Sequence, residues 1–182
     1  MISTLVALAL LPAAAGHMFK DAPVENGLCD ATVKSYSGYF SVESGVDKNY
    51  FFWLFESRAT PSSDPLVMWL NGGPGCSSEL GLLTENGPCT VNEAGTDTIP
   101  NPYSWNSNAN VMWVDQPAYV GYSYGGGKDD LVHDEAQIAE DMYEFLQEFF
   151  LQNPQYAESE FYVFGESYGG HYAPAISSRI FE

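Results

Sequence analysis

Apolar positions along the chain fall into two rhythms. Short runs dense in aromatic and branched side chains occupy 39–43, 50–56, 66–70, 111–114 and 161–164, the length and make-up of β-strands. A turn around Ser44, Gly45, Val46 and Asp47 joins the first two, which predicts a pair of connected strands. The run at 66–70 stops at Asn71-Gly72-Gly73-Pro74-Gly75, and the run at 111–114 at Asp115-Gln116-Pro117. Buried strands enter tight loops in this way. Over 131–150 the period lengthens: Ala139, Met142, Leu146, Phe149 and Phe150 recur at three- and four-residue steps. Asp134, Glu135, Glu140, Asp141, Glu144 and Glu148 take the polar side, and Asn153-Pro154 ends the pattern. That predicts an amphipathic helix. Residues 169–181 predict another helix, and 20–37 a loop.

Strands alternating with helices predict an α/β sheet, antiparallel at its start and then parallel. Such sheets carry their sites at the carboxyl ends of the strands. The glycine-rich turns after Leu70 and after Phe164 both lie at such ends, so they are expected side by side.

Composition narrows the function classes. The 182 residues are 45% hydrophobic and 15% aromatic, enough for a packed core and far from a disordered composition. Against 24 Asp and Glu stand 6 Lys and Arg, a formal charge of −18. Nucleic acid and anionic lipid would repel such a chain, which excludes both as partners. Residues 1–16, MISTLVALALLPAAAG, read as a secretory signal: an apolar run leads into small residues, although no Lys or Arg stands near Met1. Nothing later approaches the length of a transmembrane helix. Cys29, Cys76 and Cys89 are odd in number and their spacing fits no zinc motif, so no metal or other cofactor is expected. Cys29 with Cys89 is one possible internal pair; the spacing alone decides nothing. No glycosylation sequon is present.

The chemistry centres on Gly165-Glu166-Ser167-Tyr168-Gly169, a G-x-S-x-G between a predicted strand and a predicted helix. This is the pattern of the nucleophile elbow of α/β-hydrolases. The turn is so sharp that side chains two positions either side of Ser167 would collide with the adjoining strand and helix, and glycine has no Cβ to collide. The bland alternative is an ordinary strand-to-helix turn with the serine as N-cap. Acyl transfer needs two N–H donors aimed at the developing oxyanion. Tyr168, the residue after the serine, offers one. Asn71-Gly72-Gly73 is a loop of the kind that offers the other, with Gly73 the natural donor.

Three blocks, LVMWLNGGPGCSS (66–78), NPYSWNSNANVMWVDQPAYVGYSY (101–124) and GESYGGHYAP (165–174), closely resemble the serine carboxypeptidases of the lysosomal, vacuolar and plant type, in matching order from about Tyr36 onward. The resemblance implies an α/β-hydrolase fold and release of single residues from peptide carboxyl ends at acidic pH. It implies Ser167 as nucleophile, Gly73 and Tyr168 as oxyanion-hole N–H donors, and Asn71, Glu85 and Glu166 as ligands of the substrate's terminal carboxylate, with Trp69 nearby. It also implies that Cys76 pairs with a distant cysteine, and that the enzyme works in a vacuole, a lysosome or outside the cell.

A carboxylate ligand can sit against Glu85 and Glu166 only if the acids hold or share protons, so peptide affinity is expected to fall as pH rises from mildly acid. On this reading 1–16 is the signal, 17–35 an extended segment, and 36–182 the first part of a catalytic domain that stops after the elbow helix. A serine needs a histidine to take its proton and an acid to orient that histidine, and in this fold both follow the serine in the chain. His171 lies on the elbow's own helix and is expected to pack in the core or behind the site; His17 and His133 read as bystanders, and Asp115 as structural. The fragment alone is therefore expected to be inactive, with an aggregation-prone sheet edge. Three other readings remain at this point: a carboxypeptidase-like acyltransferase, a non-catalytic secreted binding protein on a degraded hydrolase, and a lipase or esterase.

Overall fold

The computed structural model describes residues 22–23, 28–42 and 47–182. The signal-like run at 1–16, His17 and most of the turn at 43–46 lie outside the described residues. A six-stranded sheet runs in the order β1-β2-β3-β7-β4-β8, built from β1 (Ala22–Pro23), β2 (Ser35–Val42), β3 (Lys48–Phe55), β4 (Leu66–Leu70), β7 (Asn110–Val114) and β8 (Phe161–Gly165). β1 to β3 pair antiparallel and β3 meets β7 antiparallel, whereas β4 pairs parallel with both β7 and β8. The sheet is thus mixed, antiparallel at its start and parallel afterwards. A separate ribbon of β5 (Cys89–Val91) and β6 (Thr98–Pro100) stands beside it.

Two corrections concern the amino-terminal part and the long helix. Residues 20–37 are not all loop: Ala22 and Pro23 pair with Ser37 and Tyr36, and β2 begins at Ser35. The long helix, α2, spans Glu135–Gln152 rather than 131–150, because Asp134 caps it by accepting the Gln137 N–H at 2.9 Å. His133 precedes the helix instead of starting it. Asp141, assigned above to the polar face, is buried: it accepts Lys48 Nζ at 3.1 Å and the Tyr50 hydroxyl at 2.7 Å.

Alternation along β4 divides the interior in two. Leu66, Met68 and Leu70 face α2 and α3 (Gly169–Phe181), packing with Met142, Phe145, Phe149, Tyr172 and Ile176. Val67 and Trp69 face the other way, toward Leu82 of the short α1 (Glu79–Thr84), Trp113 and the Cys29–Cys89 disulfide. Each fully buried large apolar side chain contributes roughly 1.5–3 kcal/mol, so both faces of the central strands are anchored. Such two-sided burial is what a parallel strand between helical layers requires. Because β4 and β8 are neighbours with Leu70 opposite Gly165, the loops leaving them emerge together.

Candidate active site

Ser167 sits where β8 ends and α3 begins, exposed, with φ of 57°. That left-handed backbone is strained for a serine and is held by the hydrogen bonds Gly169 N–H to Glu166 O at 2.8 Å and Gly170 N–H to Ser167 O at 2.9 Å. The flanking glycines have a steric reason. A Cβ at position 165 would lie 2.3 Å from the Gly169 carbonyl oxygen, and one at 169 would lie 2.6 Å from the Leu70 carbonyl oxygen. Strand, turn and helix are therefore packed backbone to backbone.

The loop after β4 closes on this turn. A Cβ at Gly72 would fall 2.3 Å from the Tyr168 nitrogen and 2.7 Å from the Glu166 oxygen, so the two loops touch through main chain. Gly73 follows, exposed, at φ 106°. Cys76 is exposed and free, and its N–H closes the loop onto Gly72 O at 3.0 Å.

Asn71 is buried and held by hydrogen bonds on both ends of its amide. Its Oδ1 accepts from Trp69 Nε1 at 2.8 Å and from the Gly81 N–H at 3.0 Å, which fixes which way the amide points. Its Nδ2 then donates to Glu85 Oε1 at 3.2 Å, with a second N–H left over. Trp69, Asn71 and Glu85 therefore form one connected group on the α1 side of the sheet. Glu166 is exposed at the elbow beside Ser167 and makes no hydrogen bond to Asn71 or Glu85.

His171 fits the second of its two expected places, packed behind the site. It is exposed rather than in the core, and its ring stacks on Tyr168 with centroids 4.5 Å and planes 26° apart. The Tyr168 hydroxyl continues to Glu135 at the start of α2. Among the described residues, no group of three His, Cys, Asp or Glu side chains is placed to hold a metal ion, and no helix is long and apolar enough to cross a membrane.

Asp115 is structural as expected, while Glu79, Gly81 and Trp105 escaped the sequence reading. Asp115, at the end of β7, accepts the Ser77 hydroxyl at 2.6 Å, the Ser78 N–H at 2.9 Å and the Tyr122 N–H at 2.9 Å. It thereby pins the far end of the glycine loop. Glu79 follows directly. It is buried, and burial with the nearby Asp115 charge pushes its carboxyl up to about 8. Gly81 must lack a side chain, since a Cβ there would be 2.3 Å from Trp69 Nε1. Trp105 bridges Trp69 and Phe164, with centroids 5.0 and 5.1 Å away. Only Gly81 left a trace in the sequence, as a glycine inside a short apolar segment.

Comparison with known proteins fits this geometry. The profile of the serine carboxypeptidase family (Peptidase_S10) matches residues 25–182. Carboxypeptidase Y homolog A of Arthroderma otae is 50% identical over 158 residues, covering 87% of this chain and 28% of that protein. The protein of the same name from Pyricularia oryzae is 52% identical over 149 residues, 82% of this chain and 26% of its own length. Kex1Δp, a prohormone-processing carboxypeptidase from Saccharomyces cerevisiae, superposes with a TM-score of 0.78 at 29% identity, over 90% of this chain and 38% of that one. The chain spans little more than a quarter of the length of these curated relatives, and its sheet is of the α/β-hydrolase type. With 158 of its 182 residues inside the family profile, the chain belongs to the serine carboxypeptidase family.

Proposed function

We propose that the protein containing this chain removes single residues from peptide carboxyl ends through an acyl-enzyme on Ser167. The observation that supports this reading is the main-chain contact between the Gly72 loop and the elbow at Tyr168, next to the exposed Ser167. Ser167 Oγ attacks the last peptide carbonyl, and the N–H groups of Gly73 and Tyr168 receive the oxyanion. The C–N bond breaks, the terminal amino acid leaves, and water releases the acyl group. Asn71 Nδ2, with Glu85 and Glu166, holds the terminal carboxylate of the substrate; Trp69 locks Asn71. A serine hydroxyl gives up its proton only to a base. His171 is turned onto Tyr168, so on this reading the base and its orienting acid come from other parts of the longer polypeptide, and the 182 residues alone do not cleave peptides. The Cys29–Cys89 disulfide and the signal-like run support a secretory route toward a vacuole, a lysosome or the exterior.

The test uses the full-length protein and a blocked dipeptide, as free acid and as amide. The free acid is cleaved preferentially, its KM rises as pH climbs from mildly acid through neutral, and Ser167→Ala lowers kcat by about 10⁴-fold or more. Equal cleavage of acid and amide, or a KM flat across that pH range, would defeat the carboxylate-binding assignment.

A further inference from the structure

The loop that carries Gly73 is fastened at both ends to the end of β7. At its far end, Asp115 Oδ1 accepts the Ser77 hydroxyl at 2.6 Å and the Ser78 N–H at 2.9 Å. At its near end, the Asn71 N–H donates to Ser78 Oγ at 3.2 Å, and that hydroxyl donates to Val114 O at 2.6 Å. The other Asp115 oxygen takes the Tyr122 N–H at 2.9 Å. Asp115 is thus an acceptor in every bond it makes here, the role of an ionised carboxylate.

Glu79 is the next residue, and its N–H donates to Ser77 Oγ at 3.1 Å, so its backbone belongs to the same fastening. The residue is only 8% exposed, and Oε1 is enclosed without a hydrogen-bond partner among the described residues. α1 packs on β5 and on β7. β5 brings no ionisable side chain, Cys89 being in the disulfide, and the end of β7 brings Asp115, whose charge acts on Glu79. Tyr39 of β2 feels the same Asp115 charge. An ionised Glu79 would be a buried charge with no donor at that oxygen, set against a like charge. We propose that Glu79 is a positioning residue for the oxyanion site: as a neutral acid it lets Asp115 fasten Ser77 and Ser78, and its ionisation releases the glycine loop and with it the Gly73 N–H. The inference rests on the reading of Ser167 as nucleophile and of Gly73 as a donor to the oxyanion. Burial and the Asp115 charge push the Glu79 carboxyl up to about 8, so the release falls in mildly alkaline solution. A donor that meets charge only in the transition state acts on kcat, whereas the site for the substrate's terminal carboxylate acts on KM.

The experiment measures kcat and KM of the full-length protein for one blocked dipeptide, as free acid, from about pH 5 to 9, in wild type, Glu79→Gln and Glu79→Met. In wild type kcat falls about tenfold between pH 7 and 9, the drop that one group titrating near 8 produces, and it recovers on return to pH 6. The two variants carry no charge at position 79 at any pH. Either one, once folded, holds kcat level over that range while its KM follows pH as in wild type. A wild-type kcat flat to pH 9, or a decline that persists in a folded variant, overturns the inference. So does a loss that fails to recover at pH 6, since that is unfolding and not release of a loop. If Glu79 only stabilises the fold, Tm changes in the variants but their kcat profiles coincide with wild type, and the inference is again overturned. A KM flat across the range beside a declining kcat strikes the carboxylate site and leaves this inference standing. No cleavage at any pH defeats the reading of Ser167 itself, and the inference falls with it.

Discussion

A methyl group at position 72 would meet two main-chain atoms of the elbow within 2.7 Å, and neither has a side-chain torsion through which to yield. Gly72→Ala is therefore expected to push the glycine loop off the elbow and misalign the Gly73 and Tyr168 N–H groups on which the proposed mechanism relies. A displacement of about 1 Å there costs on the order of 10²-fold in kcat/KM, and kinetics on the full-length variant read it directly; near-normal rates would mean the loops do not need to touch. Glu79 gives a second prediction at this scale. Its folded carboxyl is pushed up to about 8 from an ordinary 4.5, and Asp115 is raised too, chiefly by its own burial. The folded state thus holds protons that the unfolded chain releases. Stability from this pair is complete below the unfolded value and is lost as pH rises toward the folded one. Thermal melting should show Tm declining between about pH 5 and 8, with Glu79→Gln flattening that decline; parallel curves for wild type and variant would contradict it. The turn at Ser167 with its flanking glycines was legible because so sharp a strand-to-helix corner demands glycine at fixed spacing from the serine. Glu79 was not, since an acid in sequence looks the same whether solvated or buried.

Among the elements, α2 is joined to β3 by more than apolar contact. Lys48 Nζ, fully buried, lies 3.1 Å from Asp141, which also accepts the Tyr50 hydroxyl. Asp141→Asn leaves that ammonium inside the core without its counter-charge, a change that costs about 3–5 kcal/mol. Denaturant midpoints on the full-length protein measure it, and a loss below about 1 kcal/mol would show that the pair contributes little. β4, β8 and α3 were predictable from local patterns alone, since apolar runs bounded by glycine, and a helix with its own periodicity, carry their limits with them. The place of β7 between β3 and β4 was not. That pairing is set by burial between residues far apart in the chain. α1 was missed because six residues give less than two turns of periodicity, and Asp141 was misassigned because its partner Lys48 lies 93 positions away.

Among the described residues, β8 forms one edge of the sheet, with Tyr162 and Phe164 exposed at 46% and 42%. An apolar strand with free main-chain groups invites pairing with another chain. The formal charge of −18 opposes self-association by repulsion, and this opposition weakens in acid as carboxylates gain protons. The proposed function makes the exposed, strained Ser167 the centre of the chemistry. The most direct measurement of that claim is peptide mapping by mass spectrometry after the full-length protein is inactivated with a fluorophosphonate. A single phosphonyl adduct on Ser167, formed in step with loss of cleavage of a blocked dipeptide, is the predicted result. Loss of activity with Ser167 unmodified and the adduct on another residue would contradict it.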